Sequence, residues 1–251
     1  MNNINVMNRA ANNIRILAAS MVEKAKSGHP GGAMGGADFI NVLFSEYLVY
    51  DPKDPTWTGR DRFFLDPGHM SPMLYSVLAL SGKYSIEDIK TFRQWGSECP
   101  GHPELDIIHG VENSSGQGHA MAAGAAIAEK FLEARLGSTM MQHTIYAYIS
   151  DGSVEEGISQ EVGRLAGTLG LNNLIMFYDS NEIQLSTETK VVMVEDTAAK
   201  YRAWNWNVIE INGNDVQEIR QALNAALEEN DRPTLIIGKT VMGKGALKAD
   251  G

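Results

Sequence analysis

The sequence predicts an α/β fold: a single domain, residues 1–251, with a mostly parallel sheet flanked by helices on both faces. Three observations carry this. From Thr144 onward, short apolar runs alternate with longer stretches of helical spacing, the rhythm of strand–crossover–strand units. Those apolar runs suit strands covered on both faces by helices. No internal repeat, low-complexity tract or linker divides the chain, so one domain is the economical reading.

In order along the chain, Ile14, Leu17, Met21 and Val22 recur at helical spacing and predict a helix over 8–26. It stops at Ser27-Gly28-His29-Pro30-Gly31-Gly32, where Gly and Pro make continuation costly. A second apolar helix is predicted over 37–48, then a Pro/Asp-rich loop over 51–55. Ser71-Pro72 reads as a helix start, with the serine capping and the proline in the first turn. Residues 97–118 are dense in Gly, Pro and His and read as loop, while 120–136 read as helix. Strands are predicted over 144–149, 174–178, 208–211 and 234–241, and helices over 154–169, 194–203 and 215–229.

Composition narrows the function. With Lys+Arg 21 against Asp+Glu 31, the formal charge is −10, and no basic run stands out. Nucleic-acid binding driven by neutralising phosphates is therefore disfavoured. A single cysteine, Cys99, excludes an intrachain disulfide and suits a reducing compartment. The polar, Asn-rich start lacks the apolar core of a signal peptide, and no apolar run reaches the roughly 18 residues needed to span a bilayer. These features predict a cytoplasmic protein with no nucleic-acid or membrane partner.

The strongest chemical signal lies at two strand ends. One predicted strand runs into Ser150-Asp151-Gly152 and the next into Asp179-Ser180-Asn181, one crossover unit later. Ligands of open parallel sheets bind beyond the carboxyl ends of the strands. If these strands are neighbours, Asp151 and Asn181 can share one ion. Magnesium takes a few protein oxygens plus water and phosphate, so a carboxylate, an amide oxygen and a backbone carbonyl (Ile183) leave room for a diphosphate. Gly152 opens the next helix, where free N–H groups favour an anion and a missing side chain allows close approach. Either dipeptide alone is an ordinary turn former; the pair, one crossover apart, is more specific. Two other phosphate-like patterns fail. Gly238-Lys239-Thr240 lacks the glycine a P-loop needs at 233, which is Pro233, and Gly116-Gln117-Gly118 has Met121 at its third glycine position and no strand before it. Cys99 and His102 have metal-like spacing but no second pair, so no zinc site is read there.

Asp151-Gly152 followed by Asn181 resembles the thiamine diphosphate motif. Ser27-Gly28-His29-Pro30-Gly31, Asp61-Arg62-Phe63, Gly68-His69, Gly101-His102-Pro103-Glu104, Gly110-Val111-Glu112 and Glu156-Gly157-Ile158 narrow the resemblance to the N-terminal, thiamine diphosphate-binding section of transketolases. The fold this implies is the diphosphate-domain type. The resemblance also implies transfer of a two-carbon ketol unit from a ketose phosphate to an aldose phosphate, as in the pentose phosphate pathway of carbohydrate metabolism. Its cofactors would be thiamine diphosphate and Mg2+, with Ca2+ or Mn2+ as substitutes. By the same resemblance Asp151, Asn181 and Ile183 hold the metal, and His69, Gly116, Gly152 and Asn181 hold the cofactor. His29 and His102 contact substrate oxygens, and Glu156 and Glu161 face a partner subunit. His109, His119 and His143 have no such match and are read as structural.

The loop at Ser114-Ser115-Gly116-Gln117-Gly118 is a few residues shorter than the family's Gly-Pro-Leu-Gly-Gln-Gly, which predicts weaker cofactor binding. A pyrimidine-binding domain, or the C-terminal section of a transketolase, would have to complete the site. The expectation is a fragment or one half of a split enzyme, inactive alone and assembling as a homodimer or heterotetramer. Synthases of 1-deoxyxylulose phosphate and 2-oxo acid dehydrogenases share the metal motif, and an inactive interaction subunit is the reading from a different class.

Overall fold

The computed structural model describes residues 1–112, 117–138, 141–184 and 187–247. Its centre is a five-stranded sheet in the order β1–β2–β3–β7–β6, from β1 (Arg62–Leu65), β2 (Ile145–Ser150), β3 (Leu174–Ser180), β6 (Asn207–Asn212) and β7 (Thr234–Lys239). Every pairing in it is parallel. A separate antiparallel hairpin, β4 (Ile183–Gln184) and β5 (Thr187–Glu188), follows β3 directly.

Alternation along the strands splits the core into two layers, as a two-residue side-chain period requires. Tyr146, Tyr148, Ile175, Phe177 and Ile236 face one layer, closed by α1 (Ile4–Ala25), α3 (Ala37–Val42), α4 (Ser71–Leu80) and α11 (Val216–Glu228). Ile145, Ala147, Ile149, Met176, Tyr178, Leu235 and Ile237 face the other, closed by α6 (Gly118–Leu136), α8 (Gly157–Leu169) and α10 (Thr197–Ala203). Helices thus cover both faces. Short helices complete the order: α2 (Pro30–Gly35), α5 (Ile86–Ile89), α7 (Asp151–Glu155) and α9 (Thr189–Val192).

The expected elements are present, with local differences that have physical causes. The helix expected over 154–169 is two helices, because Glu156 is extended (φ −66°, ψ 140°) and caps α8 anew. The turn that Gly152 opens is therefore five residues long and carries little of a long helix's dipole. Ser71 does not cap α4; its hydroxyl donates to the Gly101 carbonyl at 2.7 Å, tying that helix to the loop carrying His102. The helix expected over 37–48 widens after Val42 into a π-type turn, Leu43–Tyr47, closed by the Leu48 N–H on the Leu43 carbonyl. Strand β1 was not anticipated: its four residues are too short for a periodicity to register, and only the apolar run Phe63-Phe64-Leu65 could have signalled it. Gly238 belongs to packing, since a side chain there would collide with the Phe177 ring.

Candidate functional site

Strands β2 and β3 are neighbours, with Ser150 opposite Asp179, so Asp151 and Asn181 leave the same edge of the sheet from adjacent strands. Asp151 is 2% exposed. Its Oδ1 accepts the Tyr178 hydroxyl at 2.6 Å, and its Oδ2 is buried with no hydrogen-bond partner. Burial pushes its pKa up, opposed by Tyr178 and by the backbone N–H groups of Asn181 and Glu182. An acid held this way, with one oxygen unanswered, suits a cation.

The neighbouring carboxylate, Asp179, is fully buried and pushed up to about 6 by desolvation, against donation from Thr240 and Tyr148. The Asn181 amide is turned locally: its Oδ1 accepts the Ile183 N–H at 3.1 Å and retains a second lone pair. Glu182 between them is left-handed (φ 64°), a costly conformation for a residue with a Cβ, and it folds Ile183 back into β4. Gly152 is exposed, and a Cβ placed on it would meet nothing within 4 Å. Among the described residues, no group of three or more His, Cys, Asp or Glu side chains converges as a metal cage.

The three histidines come from separate loops, and two of their rings meet. His29 is the N-cap of α2, His69 lies in the turn Gly68–Met70 that follows β1, and His102 lies in the loop tied down by Ser71. The His29 and His69 rings meet edge-on with centroids 5.3 Å apart. Burial first, then the charges of His29 and His102, lower His69 to about 4. His102 is lowered by burial, then by Arg93 and His29. At neutral pH the cluster therefore offers uncharged imidazole at His69, able to donate and accept hydrogen bonds without bringing a cation.

Arg93, which the sequence reading missed, joins two of these loops. Its Nη1 donates to Ser27 Oγ at 2.8 Å, and its guanidinium packs so closely on Gly101 that a Cβ there would lie 2.7 Å from Nε. A lone arginine in a loop carries no motif, and only its contacts distinguish it. Tyr178, Asp179 and Thr240 were missed for the same reason. Cys99 is buried with its thiol pushed up to about 12, so it presents no thiolate at neutral pH. His109 pairs with Asp106 at 2.6 Å, His143 with Glu129 at 2.8 Å, and His119 with the Tyr201 hydroxyl at 3.0 Å.

Glu156 and Glu161 are exposed, and Glu161 pairs with Arg164 at 2.5 Å. Gly116 lies outside the described residues, as do Ser114 and Ser115. Gly118 begins α6 close against the chain after β1: a Cβ on it would lie 2.8 Å from Asp66 Cα. A cleft of about 440 Å³ reaches Asp151 from the other side, past Tyr178, Thr189, Glu210 and Lys239; the histidines are not part of it.

A parallel α/β domain with a buried acid and an amide at adjacent strand ends belongs to the class of open-sheet domains that bind ligands beyond the carboxyl ends of their strands. The family model described as "Transketolase, thiamine diphosphate binding domain" matches residues 6–251. Transketolase 2 of Escherichia coli (strain K12) is 47% identical over 244 residues, covering 94% of this chain and 37% of that protein. The transketolase structure from Campylobacter jejuni superposes with a TM-score of 0.94 at 44% identity, covering 98% of this chain and 39% of that one. A Pichia stipitis transketolase described as a complex with sedoheptulose-7-phosphate gives 0.92 at 37% identity, covering 97% of this chain and 37% of that one. The chain belongs to the transketolase family, as its thiamine diphosphate-binding domain, and spans under two fifths of the length of these relatives. No described helix is long and apolar enough to cross a membrane.

Proposed function

We propose that this domain holds the diphosphate end of thiamine diphosphate through Mg2+, as one half of a ketol-transferring active site. The observation that carries the reading is the buried, unpartnered Asp151 Oδ2 at the strand end next to Asn181, whose Oδ1 accepts a single N–H and keeps a lone pair. Asp151 and Asn181 would supply two ligand oxygens and the Ile183 carbonyl a third. Among the described residues no three acids converge, so phosphate and water oxygens would complete the shell, as magnesium prefers. The open space over Gly152 is where a side chain would obstruct a phosphate. His69 and Gly116 would lie along the cofactor.

When bound, thiamine diphosphate supplies a carbon nucleophile and an electron sink. This chain's residues do the rest of the work assigned to this half. His29 and His102 would bind substrate oxygens and move protons there, with His69 remaining neutral beside them. Arg93 would hold their two loops in register. Sugar phosphates fit as substrates, in line with the sedoheptulose-7-phosphate named for the Pichia stipitis relative. The shortened loop at 114–118 is expected to weaken cofactor affinity relative to a variant with Pro-Leu-Gly restored.

A pyrimidine-binding domain would complete the site, and the chain alone is expected to show no ketol transfer. An exposed stripe on α8, Ile158, Leu165 and Leu169, shares the helix face of Glu161 and supports this face as the partner surface. Calorimetric titration with thiamine diphosphate, with and without Mg2+, tests the reading. Binding should require Mg2+, and Asp151→Ala should weaken it by about a hundredfold, the scale of a lost charged ligand. Unchanged binding in that variant would remove Asp151 from the metal site.

A further inference from the structure

The segment after β7 returns across α2, and its hold there rests on a polar cluster outside the site described above. Asp38 on α3 is 2% exposed, and its Oδ2 accepts from three donors: Arg15 Nη2 at 2.5 Å, Lys244 Nζ at 2.8 Å and Asn214 Nδ2 at 2.9 Å. Asn214 Nδ2 also donates to the Gly35 carbonyl at 2.8 Å. Its Oδ1 accepts the Val241 N–H at 2.8 Å, and its carbonyl accepts Lys244 Nζ at 3.2 Å. The outcome at α2 is direct contact. The Gly243 N–H donates to the Gly31 carbonyl at 2.9 Å, and the Met242 side chain occupies the space a Cβ on Gly31 would need.

His29 is the residue on which these contacts bear. It is the N-cap of α2, two positions before Gly31, its side chain makes no capping bond, and it is exposed. Beyond its edge-on contact with the His69 ring, its placement comes from the backbone on either side. Upstream, Arg93 holds Ser27. Downstream, Gly243 and Met242 bear on Gly31.

We propose that Lys244 is a positioning residue for His29. By anchoring residues 241–244 on Asp38 and Asn214, it sets the first turn of α2 and so the angle at which His29 meets His69. The charge-assisted bond to a buried carboxylate is the strong member of this latch, because Asp38 has little solvent to replace a lost donor. That His29 then faces substrate rests on the thiamine diphosphate reading; its placement by Lys244 does not.

The test uses the full chain labelled with 13C-histidine, with the His29 ring cross-peak assigned by His29→Gln. In Lys244→Met the His29 and His69 ring cross-peaks should move while those of His109 and His143 stay. The Gly243 amide should exchange about tenfold faster, the scale of one lost charged hydrogen bond. Lys244→Arg should return both peaks to the wild-type positions. An unmoved His29 cross-peak in Lys244→Met overturns the proposal, whether or not Gly243 exchange changes, because the latch would then be structural only. Should that variant fail to fold, Met242→Ala clears Gly31 without touching the charges and is read by the same two outcomes. Calorimetry with thiamine diphosphate on the wild type is scored separately. Absent binding would remove the substrate-facing role of His29 and leave its positioning intact.

Discussion

His69 condenses the chemistry of the site into one ring. Burial and two neighbouring imidazoles take its pKa from 6.5 to about 4, so the folded protein holds it neutral where an unfolded chain would protonate it. A histidine lowered in this way contributes its full stabilisation above about 6.5 and loses it as pH falls toward about 4. Urea melts should therefore show His69→Gln losing less stability than the wild type as pH falls through that window. An equal slope in the variant would place the titration on another group. Asp179 shows a different use of burial. It is pushed up to about 6 by desolvation, against the Thr240 and Tyr148 hydroxyls that favour its charged form.

At the scale of elements, glycines set how closely α8 approaches the chain around Trp204. A Cβ on Gly167 would collide with the Trp204 carbonyl, a backbone atom that cannot swing aside, and Trp206 Nε1 donates to the Gly163 carbonyl at 2.7 Å on the same helix. Gly167→Ala should cost about 3 kcal/mol or more, as overpacking against backbone does. Gly124, on the exposed side of α6, has nothing within 4 Å of an added Cβ. Gly124→Ala should stabilise by about 0.5–1 kcal/mol through the unfolded chain's lost freedom. Denaturant midpoints of the two variants test both signs, and a neutral Gly167→Ala would refute the close approach. The break at Glu156 matters at the same scale. It ends α7 after one turn, so Gly152 opens a local set of N–H groups and not the end of a long helix.

For the whole molecule, the apolar residues left outside the two core layers are informative. Ile158, Leu165 and Leu169 are 48%, 47% and 51% exposed on one face of α8, and Ile127 and Phe131 on α6 are exposed as well. A chain of net charge −10 gains nothing from such a face in water, and the same face carries Glu161. Sedimentation should reveal concentration-dependent self-association that Leu165→Glu weakens at least tenfold, the scale of burying a charge in place of a leucine. Self-association unchanged in that variant would move the partner surface elsewhere.

The sequence by itself determined the alternation of strands and helices, because buried parallel strands and their crossovers leave a periodicity that one chain can display. It also singled out Asp151 and Asn181 as a candidate pair, since a strand end followed by Asp-Gly and another by Asn can be read in one dimension. The loop histidines were legible only through their resemblance to a family, because Gly-Pro-rich loops have no period to read. The tertiary structure alone decided that β2 and β3 are neighbours, that Tyr148 and Thr240 converge on Asp179, and that Arg93 joins the His29 and His102 loops. These are contacts between residues distant in sequence, and no local rule encodes them. Asp151 and Asn181 were visible as residue types; the burial of Asp151 and its one unanswered oxygen exist only in the packed fold.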